Sequence, residues 1–120
     1  MATRTAVIAP DGRFTYEDLD RAAASVAGGL LDGRHDLEEA RVAFLLPPSF
    51  AHVAVARGIW RAGGMAVPLA ISHPPVELDY VIRDAEASIV VGDAASANVL
   101  APIARAAGAT FVASTELLQA

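Results

Sequence analysis

Apolar residues recur along this chain in two patterns. Some form short unbroken runs, and others return every three or four positions over longer stretches. The runs are Val42 to Leu46, Met65 to Leu69, Ser88 to Val91 and Thr110 to Ala113, and prolines or glycines punctuate them. Short runs without charge are how strands buried on both faces of a sheet read. Between the runs, Tyr16, Leu19, Ala23, Val26 and Leu30 are spaced three, four, three and four apart. Leu78, Val81, Ile82 and Ala85 fall at i, i+3, i+4 and i+7, as do Leu100, Ile103, Ala104 and Ala107. Each set is one apolar face of a helix.

Local signals place the boundaries. Thr5 to Ala9, the turn Pro10-Asp11-Gly12 and then Arg13-Phe14 read as a β-hairpin, with proline setting the first turn dihedral and glycine accepting positive φ. Thr15 caps the first helix. Phe14 and Leu19 stand at the positions of a hydrophobic staple, Glu17 and Asp18 suit the positive end of the helix, and Asp32-Gly33 ends it. Gly28-Gly29 costs that helix about 1 kcal/mol per glycine relative to alanine, which implies a close neighbour. Ser49 caps a helix from Phe50 to Ala62, Pro74-Pro75 opens another, and Ala95 to Ala107 is a third that Gly108 stops. Gly63-Gly64 turns the chain from the second helix into the Met65 run. The order is hairpin, α, β, α, β, α, β, α, β. It predicts a Rossmann-like, doubly wound α/β fold with a mainly parallel sheet. The helix at 50–62 is apolar nearly all round, with only His52, Arg57 and Arg61 strongly polar, so it needs cover on more than one side.

Composition narrows the function. The chain has 120 residues, 54% of them hydrophobic, which excludes disorder. Its net charge of −5, without a basic cluster, argues against nucleic acid as a partner. All nine basic residues are arginines; no lysine is present for a P-loop, a Schiff base or a transferring phosphoryl group. With no cysteine there is no disulfide scaffold or thiol nucleophile. Acids from Asp11 onward interrupt the early apolar residues, and no 18-residue apolar run marks a membrane span. The expectation is a soluble cytoplasmic protein.

Candidate chemistry is sparse. In such a sheet ligands lie beyond the carboxyl ends of the strands, here Pro47-Pro48-Ser49, Ala70-Ile71-Ser72-His73 and Gly92-Asp93-Ala94. No GxGxxG or Walker sequence follows the first strand, and no G-x-S-x-G elbow occurs. Ser49, Ser72 and His73 are placed to bind something small, although serines here serve more often as helix caps. His35, Asp36, Glu38 and Glu39 lie in an acidic connector that lacks ligand-type spacing, so a metal site is not expected there.

Three segments carry a resemblance. Phe14-Thr15-Tyr16-Glu17-Asp18-Leu19 is similar to the first core motif of the adenylate-forming superfamily, which includes acyl-CoA synthetases, luciferases and peptide-synthetase adenylation domains. Trp60 through Leu69, with its basic residue, Ala-Gly and Val-Pro-Leu in order, resembles the second. The Pro-x-x-Glu-Leu-x-Tyr-x-Ile-x-Asp-Ala pattern from Pro74 to Ala85 also fits. Ala66 stands where peptide synthetases usually have tyrosine, and no aspartate directly follows Leu69-Ala70, so the resemblance leans toward CoA ligases. Val67 to Pro74 with Glu77-Leu78 looks most like malonyl-CoA synthetases.

The resemblance implies a parent enzyme that joins a carboxylic acid to CoA through an acyl-adenylate, using ATP, Mg2+ and CoA, with malonate or a fatty acid as substrate. The family's lysine-ended phosphate loop, Thr-Gly-Asp segment, hinge and C-terminal lysine are not in this sequence. Gly33-Arg34-His35-Asp36 imitates the hinge, but far too early in the chain. Residues 1–120 are therefore expected to be a truncated N-terminal α/β subdomain with no catalytic, cofactor-binding or metal-binding residue of its own. The segment alone is expected to hold none of the three cofactors tightly. Its expected partners are the remainder of the large domain and, through exposed apolar surface, other copies of itself. A free-standing α/β binding module remains the alternative.

Overall fold

A computed structural model describes residues 4–119. The hairpin is β1 (Thr5–Ala9) paired antiparallel with β2 (Gly12–Thr15), with a register irregularity between Thr5 and Val7. Then follow α1 (Tyr16–Leu31), β3 (Arg41–Leu45), α2 (Phe50–Arg61), β4 (Met65–Pro68), α3 (Pro75–Asp84), β5 (Ile89–Gly92), α4 (Ala97–Ala106), β6 (Thr110–Ala113) and α5 (Ser114–Leu117). The main sheet runs β4-β3-β5-β6, parallel throughout. The chain steps from β3 to one side, then crosses back over it to β5. That reversal makes the fold doubly wound, as the alternating pattern predicts.

Strand alternation sorts the core into two halves. Val42 and Phe44 of β3, Leu46 just beyond it, and Ile89 and Val91 of β5 face α1 and α2. Ala43, Leu45 and Val90 face α3 and α4 with Leu78, Ile82, Leu100 and Ala104. Both faces of β3 and β5 are thus buried, as unbroken apolar runs require.

The Met65 run departs from that expectation. β4 is an edge strand, with Met65 48% exposed and Pro68 also at the surface. Met65 and Leu69 donate their amides inward to Ala40 and Phe44, so position 68 faces the open edge, where proline's missing N–H costs no ladder bond. β6 is the other edge, and Thr110 donates inward to Ser88.

The apolar helix α2 finds its second cover within this chain. Ala54, Val55, Gly58 and Ile59 are buried, and α1 packs across α2 at Gly58. A Cβ at Gly58 would lie 2.5 Å from Val26 Cβ and 3.1 Å from the Ala23 carbonyl oxygen, so only glycine fits the crossing unstrained. The glycine pair in α1 divides. Gly29 closely approaches Leu117 of α5, whereas nothing lies within 4 Å of a Cβ at Gly28. Ser25 Oγ lies 2.6 Å from the Leu117 carbonyl and 2.5 Å from that of Gln119, tying the end of the described chain to α1.

Thr15 caps α1 through a reciprocal box. The Asp18 amide donates to Thr15 Oγ1 at 3.1 Å, and the Thr15 amide donates to Asp18 Oδ2 at 2.9 Å. Tyr16, assigned to the inward face by its spacing, is 50% exposed, and Leu19, Ala23, Val26, Ala27 and Leu30 form the buried face.

Candidate functional site

Beyond the carboxyl ends of β3 and β4 lies a cleft of about 510 Å3. The hairpin strand β1 forms one wall with Val7 and Ile8, and the loop after β4 forms another with Ile71 and Ser72. The volume falls within the range typical of small-molecule sites. Two contacts hold the hairpin in place over the strand ends. Asp11 Oδ1 accepts the Phe50 amide at 3.2 Å, where the amino end of α2 leaves donors without partners. Phe14 stacks on Phe50, ring centres 4.2 Å apart.

Besides Ser72, the polar side chains in the cleft come from the start of α2. Ser49 caps the helix, its Oγ accepting the His52 amide at 3.2 Å and donating to the Pro47 carbonyl at 2.9 Å. His52 is the one residue in the lining with a titratable side chain, and its Nδ1 lies 3.1 Å from the Leu46 carbonyl. A carbonyl only accepts, so Nδ1 carries a proton and Nε2 is the ring nitrogen left without a hydrogen-bond partner among the described residues. The ring meets the edge of Phe44 with centres 5.0 Å apart. The cleft therefore offers apolar contact, two serine hydroxyls and one imidazole. Its lining holds no arginine or lysine for a phosphate and no carboxylate for a metal, so its described residues do not fit ATP with Mg2+.

Of the three residues singled out at the strand ends, Ser49 and Ser72 do line this cleft, while His73 turns away to Glu77, 3.5 Å distant. His52 and the β1 wall escaped the sequence reading. A lone imidazole in the first turn of an otherwise apolar helix was the available signal for His52. The hairpin's position over the strand ends had none. At the switch between β3 and β5, a second cleft of about 270 Å3 is bordered by Pro47, Asp93 and Ser96. Asp93 Oδ1 is engaged there by the Ser96 amide at 3.0 Å, forming the turn before α4. In the acidic connector, Asp36 Oδ1 accepts the Glu38 amide at 2.6 Å, and Leu37 is buried with its amide on the Ala62 carbonyl. Among the described residues no His, Cys, Asp or Glu side chains cluster in threes that could hold a metal. No helix among them is long and apolar enough to cross a membrane.

Strand order, crossover pattern and strand-end cleft define an open, doubly wound α/β unit. The family model for AMP-binding enzymes matches residues 1–119, and the chain belongs to that family, a family of ligases. The chain is 38% identical over 109 residues to the malonate–CoA ligase ACSF3, mitochondrial, of Xenopus laevis, covering 88% of this chain and 19% of the frog protein. The apo crystal structure of MatB from Rhodopseudomonas palustris superposes with a TM-score of 0.80 at 33% identity, covering 93% of this chain and 22% of MatB. The nonribosomal peptide synthetase gloA of Glarea lozoyensis is 33% identical over 102 residues, covering 84% of this chain and 1% of that protein. The chain thus spans about one fifth of the length of the first two relatives.

Proposed function

We propose that residues 1–120 are the N-terminal scaffold subdomain of an ATP-dependent acyl-CoA synthetase that activates malonate. The observation that carries this reading is the 38% identity to a malonate–CoA ligase across nearly the whole chain, which spans only a fifth of that relative. Ala66 in place of the tyrosine usual in peptide synthetases favours the CoA-ligase branch over the peptide-synthetase relative. In this reading ATP, Mg2+, CoA and the acid are bound by the remainder of the enzyme. These residues build the sheet that holds neighbouring elements in place, and none of them is catalytic, cofactor-binding or metal-binding. The apolar groups left on α3 and α4, Val76 (80% exposed), Tyr80 (67%) and Val99, support a fold meant to be covered further. Without that cover the chain self-associates. Its compartment is read as cytoplasmic; the frog relative is named as mitochondrial, and imaging of the tagged native protein tests the point.

The test is a chimera. This chain replaces the matching fifth of Rhodopseudomonas palustris MatB, and malonyl-CoA formation is followed with ATP, Mg2+ and CoA. The isolated chain is expected to form none, and the folded chimera to form it. A chimera that folds, by circular dichroism, yet turns over no malonate overturns the reading. The competing reading, a free-standing α/β binding module, draws on the 510 Å3 cleft being bounded by these residues alone. An inactive chimera, together with tight binding of an apolar small molecule by the isolated chain, favours it.

A further inference from the structure

We propose that the groove between α1 and α2 bearing Arg57, Trp60 and Arg61 docks an acidic peptide segment that carries an apolar side chain. The groove encloses about 330 Å3, floored by Ala23 and walled by Asp20 on one side and the three α2 residues on the other. Trp60, the single tryptophan of the chain, is 63% exposed. Arg57 and Arg61, one helical turn apart, are exposed as well. The ion pairs among the described residues involve Arg21, Arg83 and His73, so neither Arg57 nor Arg61 has a carboxylate partner there.

Two unpaired guanidiniums flanking an exposed indole combine the residue types that dominate docking energetics. Tryptophan supplies area at little entropic cost, and arginine supplies a fork that matches carboxylates. Asp20 on the opposite wall repels carboxylates and so directs an incoming peptide's acids to the α2 side. Charge decides between occupants. An anionic bilayer or a nucleic acid spreads its charge beyond the groove and meets the chain's excess of acids, whereas a short segment can set its carboxylates on Arg57 and Arg61 away from Asp20, with screening over about 8 Å weakening the more distant acids. A second copy brings the same net charge of −5.

The test uses the 120-residue chain and a synthetic peptide of three Glu-Glu-Leu-Asp repeats, read by Trp60 emission and by anisotropy of the labelled peptide. Saturable binding that weakens as salt rises is expected. Arg57→Gln with Arg61→Gln should weaken it about tenfold, or about 1.4 kcal/mol. Replacing the peptide's leucines by serine should weaken it similarly, and Trp60→Ala, followed by anisotropy, should remove it. No binding up to about 1 mM peptide overturns the proposal. So does unchanged affinity in the double arginine variant, or tighter binding of phosphatidylserine vesicles or oligo-dT than of the peptide.

Discussion

Replacing Gly58 with alanine sets two opposed effects against each other, and the structure decides between them. Alanine is favoured over glycine in a helix interior by about 1 kcal/mol. Against this stands the crossing with α1, where the added Cβ meets both Val26 Cγ1 and Val26 Cβ, the latter at 2.5 Å. Ordinary carbon contacts are about 3.5–4.0 Å, so the shortfall is about 1 Å. A rotamer change in Val26 does not relieve it, because Val26 Cβ is fixed to the α1 backbone, and the Ala23 carbonyl stands 3.1 Å away on the same side. The helices must therefore separate in a well-packed core, at an overpacking cost of about 1–3 kcal/mol. With a backbone shift required, the upper part of that range applies, leaving a net loss of about 1–2 kcal/mol after the propensity gain. For a domain of this size that lowers Tm by roughly 4–10 °C.

Gly28→Ala is the matched control. It gains the same propensity, and nothing lies within 4 Å of its Cβ, so it should stabilise by about 0.5–1 kcal/mol. Urea unfolding followed by far-ultraviolet circular dichroism measures both. Shifts of the same sign for the two variants, or a Gly58→Ala protein as stable as the parent, would refute the packing argument.

Hydrogen bonds from Thr15, first through its backbone amide and then its hydroxyl, hold the Asp18 carboxyl below the ordinary aspartate range, with Arg21 adding to the effect. The stability this contributes is present above the unfolded-state pKa and is lost as pH falls through the folded one. Asp18→Asn should flatten that acid limb in pH-dependent unfolding, and a limb of unchanged slope would refute it. Ser25→Ala removes the hydroxyl that ties α5 to α1, so amide exchange at Leu117 to Gln119 should rise while exchange in β3 and β5 stays slow. Ile71→Asp places a charge in the wall of the 510 Å3 cleft and should reduce binding of an environment-sensitive apolar dye, with little effect on Tm because Ile71 is 61% exposed.

Elements whose reasons are local were legible before any coordinates. Pro10-Asp11-Gly12 marks the hairpin turn, Thr15 and Ser49 cap their helices, and the β3 and β5 runs lie at the sheet centre, each within a residue of its expected bounds. What depends on strand order was not legible. The run at Met65 looks like an interior strand by composition, and only the crossover back to β5 makes it an edge. Pro68 was the local clue, since proline inside a ladder is confined to edges or bulges. No local pattern singles out Gly58 as the point where α1 crosses, so the cover that α1 gives α2 was not legible. The pattern predicts a helix from Ala95, but α4 starts at Ala97, because Asp93 draws the preceding residues into a turn, and Pro102 sits inside the helix. The cleft was readable as an address at the strand ends. Its shape depends on Asp11 and Phe14 folding the hairpin onto α2, a contact across some forty residues that no local pattern encodes.

The unequal margins of the main sheet give it a direction of growth. At the β4 margin Pro68 has no hydrogen to lend a newcomer, leaving Ala66 to donate alone, whereas at the β6 margin the parity set by Thr110 turns the amides of Phe111 and Ala113 outward. A further strand, whether from more of the same polypeptide or from a neighbouring molecule in a concentrated solution, extends the sheet more favourably beyond β6.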